Sequence, residues 1–82
     1  MYEVAHKKLG ATIRRLRKAR GFTQEGVAQA ANIERARYGR MERGQLNFTL
    51  HSLFALAIQL GVSPAELLSD LTLDDCRLNS SS

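Results

Sequence analysis

The sequence predicts an all-α fold, five short helices on short connections in one compact domain. Three observations predict it. Apolar residues recur at three- and four-residue spacing along most of the chain, and no period-two run of β-branched residues appears. Helix stops and starts alternate, Gly21 with Thr23, Gly44 with Thr49, and Gly61 with Ser63. A length of 82 residues makes one domain, with a core sufficient for a helical bundle without disulfides.

The elements follow in order. Leu9, Ile13 and Leu16 stand at i, i+4 and i+7 on the apolar face of a first helix, with Arg14, Arg15 and Lys18 off that face. Gly21 stops it, and Arg17, Lys18 and Arg20 suit its C-terminal dipole. Thr23 caps a second helix, Gln24 to about Ala31, which buries Val27, Ala28 and Ala31. Asn32 tolerates the left-handed turn that follows, and Ile33 plugs the corner. A third helix runs roughly from Glu34 to Arg43 and is closed by Gly44. Thr49 caps a fourth, in which Leu50, Leu53, Ala57 and Leu60 form one stripe that Phe54 and Ile58 widen; Ile58 is expected to complete the core. Ser63, Pro64 and Glu66 form a start signal for a fifth helix carrying Leu67, Leu68 and Leu71. Residues 1–74 are expected to form the domain, with the fifth helix serving dimerisation, and 75–82 a flexible tail.

Composition narrows the function. One cysteine, Cys76, permits no intrachain disulfide and no cysteine-based metal site, and His6 and His51 are too few and too distant to suggest zinc. No metal or cofactor is expected. No nucleophile, base and orienting group stand together and no glycine loop cradles phosphate, so the chain does not read as an enzyme. The N-terminus lacks a long apolar stretch, so no secretory signal or membrane span is expected, and the reading is a cytoplasmic protein. Cys76 reads as a passive thiol, able to crosslink if a dimer interface lies nearby.

The charge is polarised. The total is +4, but residues 7–43 carry a net of +8 and residues 44–82 a net of −3. Arginine outnumbers lysine nine to three, and arginine is the better ligand for phosphates and base edges. The basic half suits a polyanion and leaves the acidic half for another task. The second and third helices are joined by about three residues, and the third, "ERARYGRMERG", is arginine-rich. That is the pattern of a helix-turn-helix whose second helix lies in the major groove of double-stranded DNA.

Residues 9–68 resemble the DNA-binding domain of the Cro and phage-repressor (XRE) helix-turn-helix family. The matching segments are "RLRKARGFTQE", the small Ala28, the turn at Asn32-Ile33, "MERG" and "LGVSPAELL". Within the family the chain is most similar to small stand-alone regulators, including restriction–modification controller proteins. The resemblance implies a lambda-repressor-like five-helix domain, with helices two and three as the helix-turn-helix and 34–43 as recognition helix. It implies that Arg35, Ala36 and Arg40 face the bases. Positions 35, 36, 39 and 40 independently share one helical face, with Tyr38 and Met41 on the other. Arg35 and Arg40 then predict guanine in each half-site, and Ala36 a thymine methyl. Arg37, toward the edge, serves either a base or a phosphate.

By the same resemblance Gln24 contacts phosphate, aided by the exposed amides of the helix start. Arg43, Gln45 and Asn47 are further phosphate candidates, Gln45 the weakest. Arg17 and Glu42 match a family ion pair that braces the first helix against the recognition helix; otherwise they are two exposed charges. Gly39 lies on the DNA-facing side, where its missing side chain either lets the helix sit deep and frees the arginines or reflects tolerance of any small residue. Gly26 departs from the family glutamate that completes a capping box with Thr23. Tyr38 departs from an aliphatic residue, its ring filling the core while its hydroxyl reaches outward.

These features predict a sequence-specific transcriptional regulator that binds a palindromic operator as a homodimer. The apolar surplus, Phe54, Leu68, Leu71 and Leu73, is expected at the dimer interface. The rival reading is an antitoxin that binds a toxin partner and represses its own operon, for which residues 72–82 are short.

Overall fold

The computed structural model describes residues 2–77, and among these every regular element is helical. They are α1 (Glu3–Ala19), α2 (Gln24–Ala30), α3 (Arg35–Glu42), α4 (Leu50–Leu60) and α5 (Pro64–Leu67), followed by a 3₁₀ turn at Asp74–Cys76. The first four match the expected helices to within a residue or two at the ends assigned. The caps are those read from the sequence: Thr23, Thr49 and Ser63 each accept a backbone N–H three residues on, from Gly26, Ser52 and Glu66. Gly26 supplies only half of a capping box, since it has no side chain to return the bond.

The helix stops share one geometry. At the α2–α3 corner Asn32 stands at φ 57°, the Ile33 amide donates to the Ala28 carbonyl at 2.8 Å and the Asn32 amide to Gln29 at 3.1 Å. This pair of bonds satisfies the last carbonyls of α2 and reverses the chain within four residues. Gly44, at φ 71°, ends α3 in the same way, and a Cβ there would stand 2.6 Å from the Lys7 Cα. Any side chain at 44 would therefore push α1 away as well as strain its own backbone.

The core is a cluster centred on Ile13 of α1, Val27 and Ala28 of α2, Tyr38 and Met41 of α3, and Leu56 and Leu60 of α4, closed by Leu67. Ile33 packs against it at the corner, as expected. Three sequence expectations are corrected here. Leu50 is not part of the buried stripe of α4; it is exposed, and Leu56, fully buried, takes that role beside Leu53, Ala57 and Leu60. Ile58 does not complete the core; it is 74 % exposed. The fifth helix is a single turn ending at Leu67, so Leu68 and Leu71 lie beyond it.

Past α5 the chain is held along α1. Thr12 donates to the Asp70 carboxylate at 3.3 Å, and Lys8 pairs with Asp75 at 2.8 Å. Asp75 also accepts from the Thr72 amide, and Lys8 foremost, with Thr72, holds its carboxyl below the ordinary range. The expected tail boundary after residue 74 thus cuts through a bonded turn. Residues 78–82 of the expected tail lie outside the described residues.

Candidate nucleic-acid interface

Helix α3 divides cleanly. Tyr38 and Met41 point inward and are fully buried. Arg35, Ala36, Arg37 and Arg40 are exposed, as is Arg43 just past the helix end. Periodicity alone places them so: 38 and 41 share the inner face by i, i+3, while 36 and 40 share the outer by i, i+4. None of these four arginines has a carboxylate partner among the described residues, where the ion pairs are Lys8–Asp75, Arg15–Asp70, Arg17–Glu42 and Arg77–Asp74. The positive charge of this face is uncompensated.

Gly39 is in the middle of that face, yet it is buried. A Cβ on it would stand 2.9 Å from Nη1 of Arg35 and 3.3 Å from Nη1 of Arg43. The two guanidiniums fold across the glycine rather than being freed by it. Arg43 also donates through Nε to the Gln45 amide oxygen at 3.2 Å. Asn47 is exposed in the loop entering α4 and makes no hydrogen bond among the described residues.

Beneath the arginines lies a buried polar cluster centred on Glu42. Arg17 of α1 donates from Nε to Oε2 at 2.6 Å and from Nη2 to Oε1 at 3.2 Å; the side chains are 9 % and 2 % exposed. The pair is a buried, bidentate brace and not two solvated charges. Arg17 Nη1 donates further to the Phe22 carbonyl at 2.8 Å, tying the α1–α2 connection to the same group. Gln24 donates through Nε2 to Glu42 Oε1 at 2.8 Å. The Tyr38 hydroxyl donates to Oε2. The expectation for Tyr38 is corrected in this respect: its hydroxyl turns inward to the carboxylate, because a buried phenol needs an acceptor and Glu42 lies one turn ahead.

The electrostatics follow from those bonds. Burial alone would push Glu42 up, but hydrogen bonds from Arg17, Tyr38 and Gln24 outweigh it and hold the carboxyl below its ordinary range. Burial, then the bond to Glu42, pushes the Tyr38 phenol up. Glu42 therefore stays ionised, and Tyr38 stays a donor.

Two participants carry no sequence assignment. Gly10 of α1 meets the end of α3 so closely that a Cβ would stand 2.5 Å from the carbonyl oxygens of both Met41 and Glu42. The only sequence signal is its place seven residues before Arg17, on the same helical face. Arg14, one turn further along that face, lines a cleft with Arg17, Gln24, Glu42 and Arg43.

A short helix pair closed by an αL turn, braced by a buried ion pair and presenting unpaired arginines on its second helix, defines the helix-turn-helix class of DNA-binding protein. The comparisons with known proteins agree. The helix-turn-helix family model HTH_3 matches residues 13–67. The chain is 38% identical over 63 residues to the HTH-type transcriptional regulator y4dJ of Sinorhizobium fredii, across 77% of this chain and 82% of that one. It is 31% identical over 65 residues to the control protein C.MunI of a Mycoplasma species, across 78% of this chain and 88% of that one. Among solved structures, the restriction–modification controller protein C.AhdI of Aeromonas hydrophila matches with a TM-score of 0.73 and 39% identity, over 74% of this chain and 92% of that one. The protein belongs to the HTH_3 helix-turn-helix family and is a DNA-binding transcriptional regulator, not an enzyme. Among the described residues no helix is long and apolar enough to cross a membrane.

Proposed function

We propose that the protein is a sequence-specific regulator that binds a near-palindromic operator as a homodimer, with α3 in the major groove of each half-site. The observation that carries this reading is the row of arginines on α3 with no carboxylate among the described residues to neutralise them. Arg35 and Arg40 read guanine through bidentate bonds to O6 and N7, and Ala36 meets a thymine methyl. Arg37 takes a base or a phosphate according to how the helix is tilted. Arg43 and Asn47 hold the backbone. Gln24 does so with what the brace leaves it: one amide hydrogen is bound to Glu42, the second is free for a phosphate oxygen. Gly39 keeps the helix thin where the arginines must swing from their folded positions toward base edges.

Dimerisation uses the other half of the molecule. Leu50, Phe54 and Ile58 stand at i, i+4 and i+8 on α4, exposed by 68 %, 48 % and 74 %. The helix carries no Asp, Glu, Lys or Arg, so two copies bring this face together without like-charge repulsion. Leu50 also lines a groove with Leu68 and Leu71, which continues the apolar surface. Likeness to C.MunI and C.AhdI supports the role of a small stand-alone controller of gene expression, in the cytoplasm.

The test is base-resolved binding. Arg35→Ala and Arg40→Ala are each expected to cost about 1–3 kcal/mol per half-site on the cognate site and to relax preference at one base pair in each half. Uniform weakening over all sequences would reassign these arginines to phosphates.

A further inference from the structure

The sequence gives α1 only a scaffold role, but its geometry brings it to the interface. Gly10, Arg14 and Arg17 follow at i, i+4 and i+7 on one face. At Gly10 that face meets α3 backbone to backbone, with room for no side chain. At Arg17 it enters the ion pair with Glu42. Arg14 lies between, and therefore reaches the C-terminal end of α3 from the side. There it lines a cleft with Gln24 and Arg43, floored by Arg17 and Glu42.

The charge of this cleft is one-sided. Glu42 is fully engaged by Arg17, Gln24 and Tyr38, and its side chain is 2 % exposed, so it offers no acceptor to the cleft. Arg14 and Arg43 have no carboxylate partner among the described residues. Two uncompensated guanidiniums and a half-free amide select an anion with several acceptor oxygens. Arg43 also reaches across Gly39 toward Arg35, so the cleft is continuous with the exposed face of α3.

We propose that Arg14, with Arg43 and Gln24, forms a phosphodiester-binding cleft, through which α1 grips the DNA backbone at the edge of the groove that α3 enters. The inference rests on the DNA reading of α3 above. Arg14 then contributes affinity and register but no base preference. Arg15, its neighbour in sequence, does not line the cleft and leans toward Asp70 at 3.9 Å, so it serves as the control.

The experiment measures binding of the full chain to its selected duplex and to an unrelated duplex over a series of salt concentrations. Arg14→Ala is expected to weaken both duplexes by the same factor. It should lower the slope of log K against log salt by about 1.8, the loss of one phosphate contact from each protomer of the dimer. Arg14→Lys should keep the slope, and Arg15→Ala should leave both affinity and slope unchanged. Arg14 is exposed, so its variants should melt with wild type. A wild-type slope in Arg14→Ala, or a loss confined to the selected duplex, overturns the inference alone. Wild type that binds neither duplex overturns the DNA reading and the cleft with it.

Discussion

Glu42 receives hydrogen bonds from three helices at one carboxylate: Arg17 from α1, Gln24 from α2 and Tyr38 from its own turn of α3. Removing it leaves a buried guanidinium without a partner, which costs far more than losing a surface charge. Glu42→Ala is therefore expected to destabilise the fold by about 3–5 kcal/mol. Glu34→Ala, at an exposed position whose side chain caps nothing, should leave the melting temperature near wild type. Equal melting temperatures would reduce the brace to decoration. The pH dependence has a definite sign. The folded Glu42 carboxyl titrates below its ordinary 4.5. Its contribution is complete above that value and is lost as pH falls through the lowered one. Chemical denaturation from neutral to acid pH should show this loss in wild type and a flatter profile in Glu42→Gln. At this scale the sequence was legible where a family pattern marked the pair, Arg17 and Glu42. The Tyr38 hydroxyl was not, because its direction depends on a carboxylate whose burial only the packed structure shows.

At the scale of elements, starts and stops were written locally and could be read. Thr23, Thr49 and Ser63 cap, and Gly21, Asn32, Gly44 and Gly61 take the left-handed conformation. Faces were harder. Helix α4 is apolar at eight of its eleven positions, so two stripes compete and periodicity does not choose between Leu50 and Leu56. The end of α5 was also hidden, because past Leu67 the chain passes into turns, Leu68 donating to Ala65 and Ser69 to Glu66, with no glycine or proline to mark the change. The outer stripe of α4 yields its own prediction. Phe54→Glu and Ile58→Glu alter exposed side chains, so both variants should fold and melt close to wild type. Sedimentation should show each as a monomer that binds a single half-site weakly. Variants that remain dimeric would move the interface away from α4.

Across the whole molecule, the division of charge along the chain becomes a division of surface. The net +8 of residues 7–43 falls on α1, α3 and their connections, while the exposed apolar stripe lies on uncharged α4. Composition made that polarity legible. It left open which basic residues converge, since Arg14 and Arg43 meet only because α1 lies against the end of α3, where Gly10 leaves room for it. A single α3 reads only a few base pairs, too few for selectivity in a genome, which is the reason the proposed function pairs two copies. The central claim is that two such surfaces, related by a two-fold axis, read one DNA site. Its most direct test is selection of bound duplexes from a random pool by the wild-type protein. The account predicts a near-palindrome with guanine in each half and half-sites about 34–36 Å apart along the helix. Enrichment of a single asymmetric site, or no enrichment from a pool that the protein demonstrably binds, would contradict it.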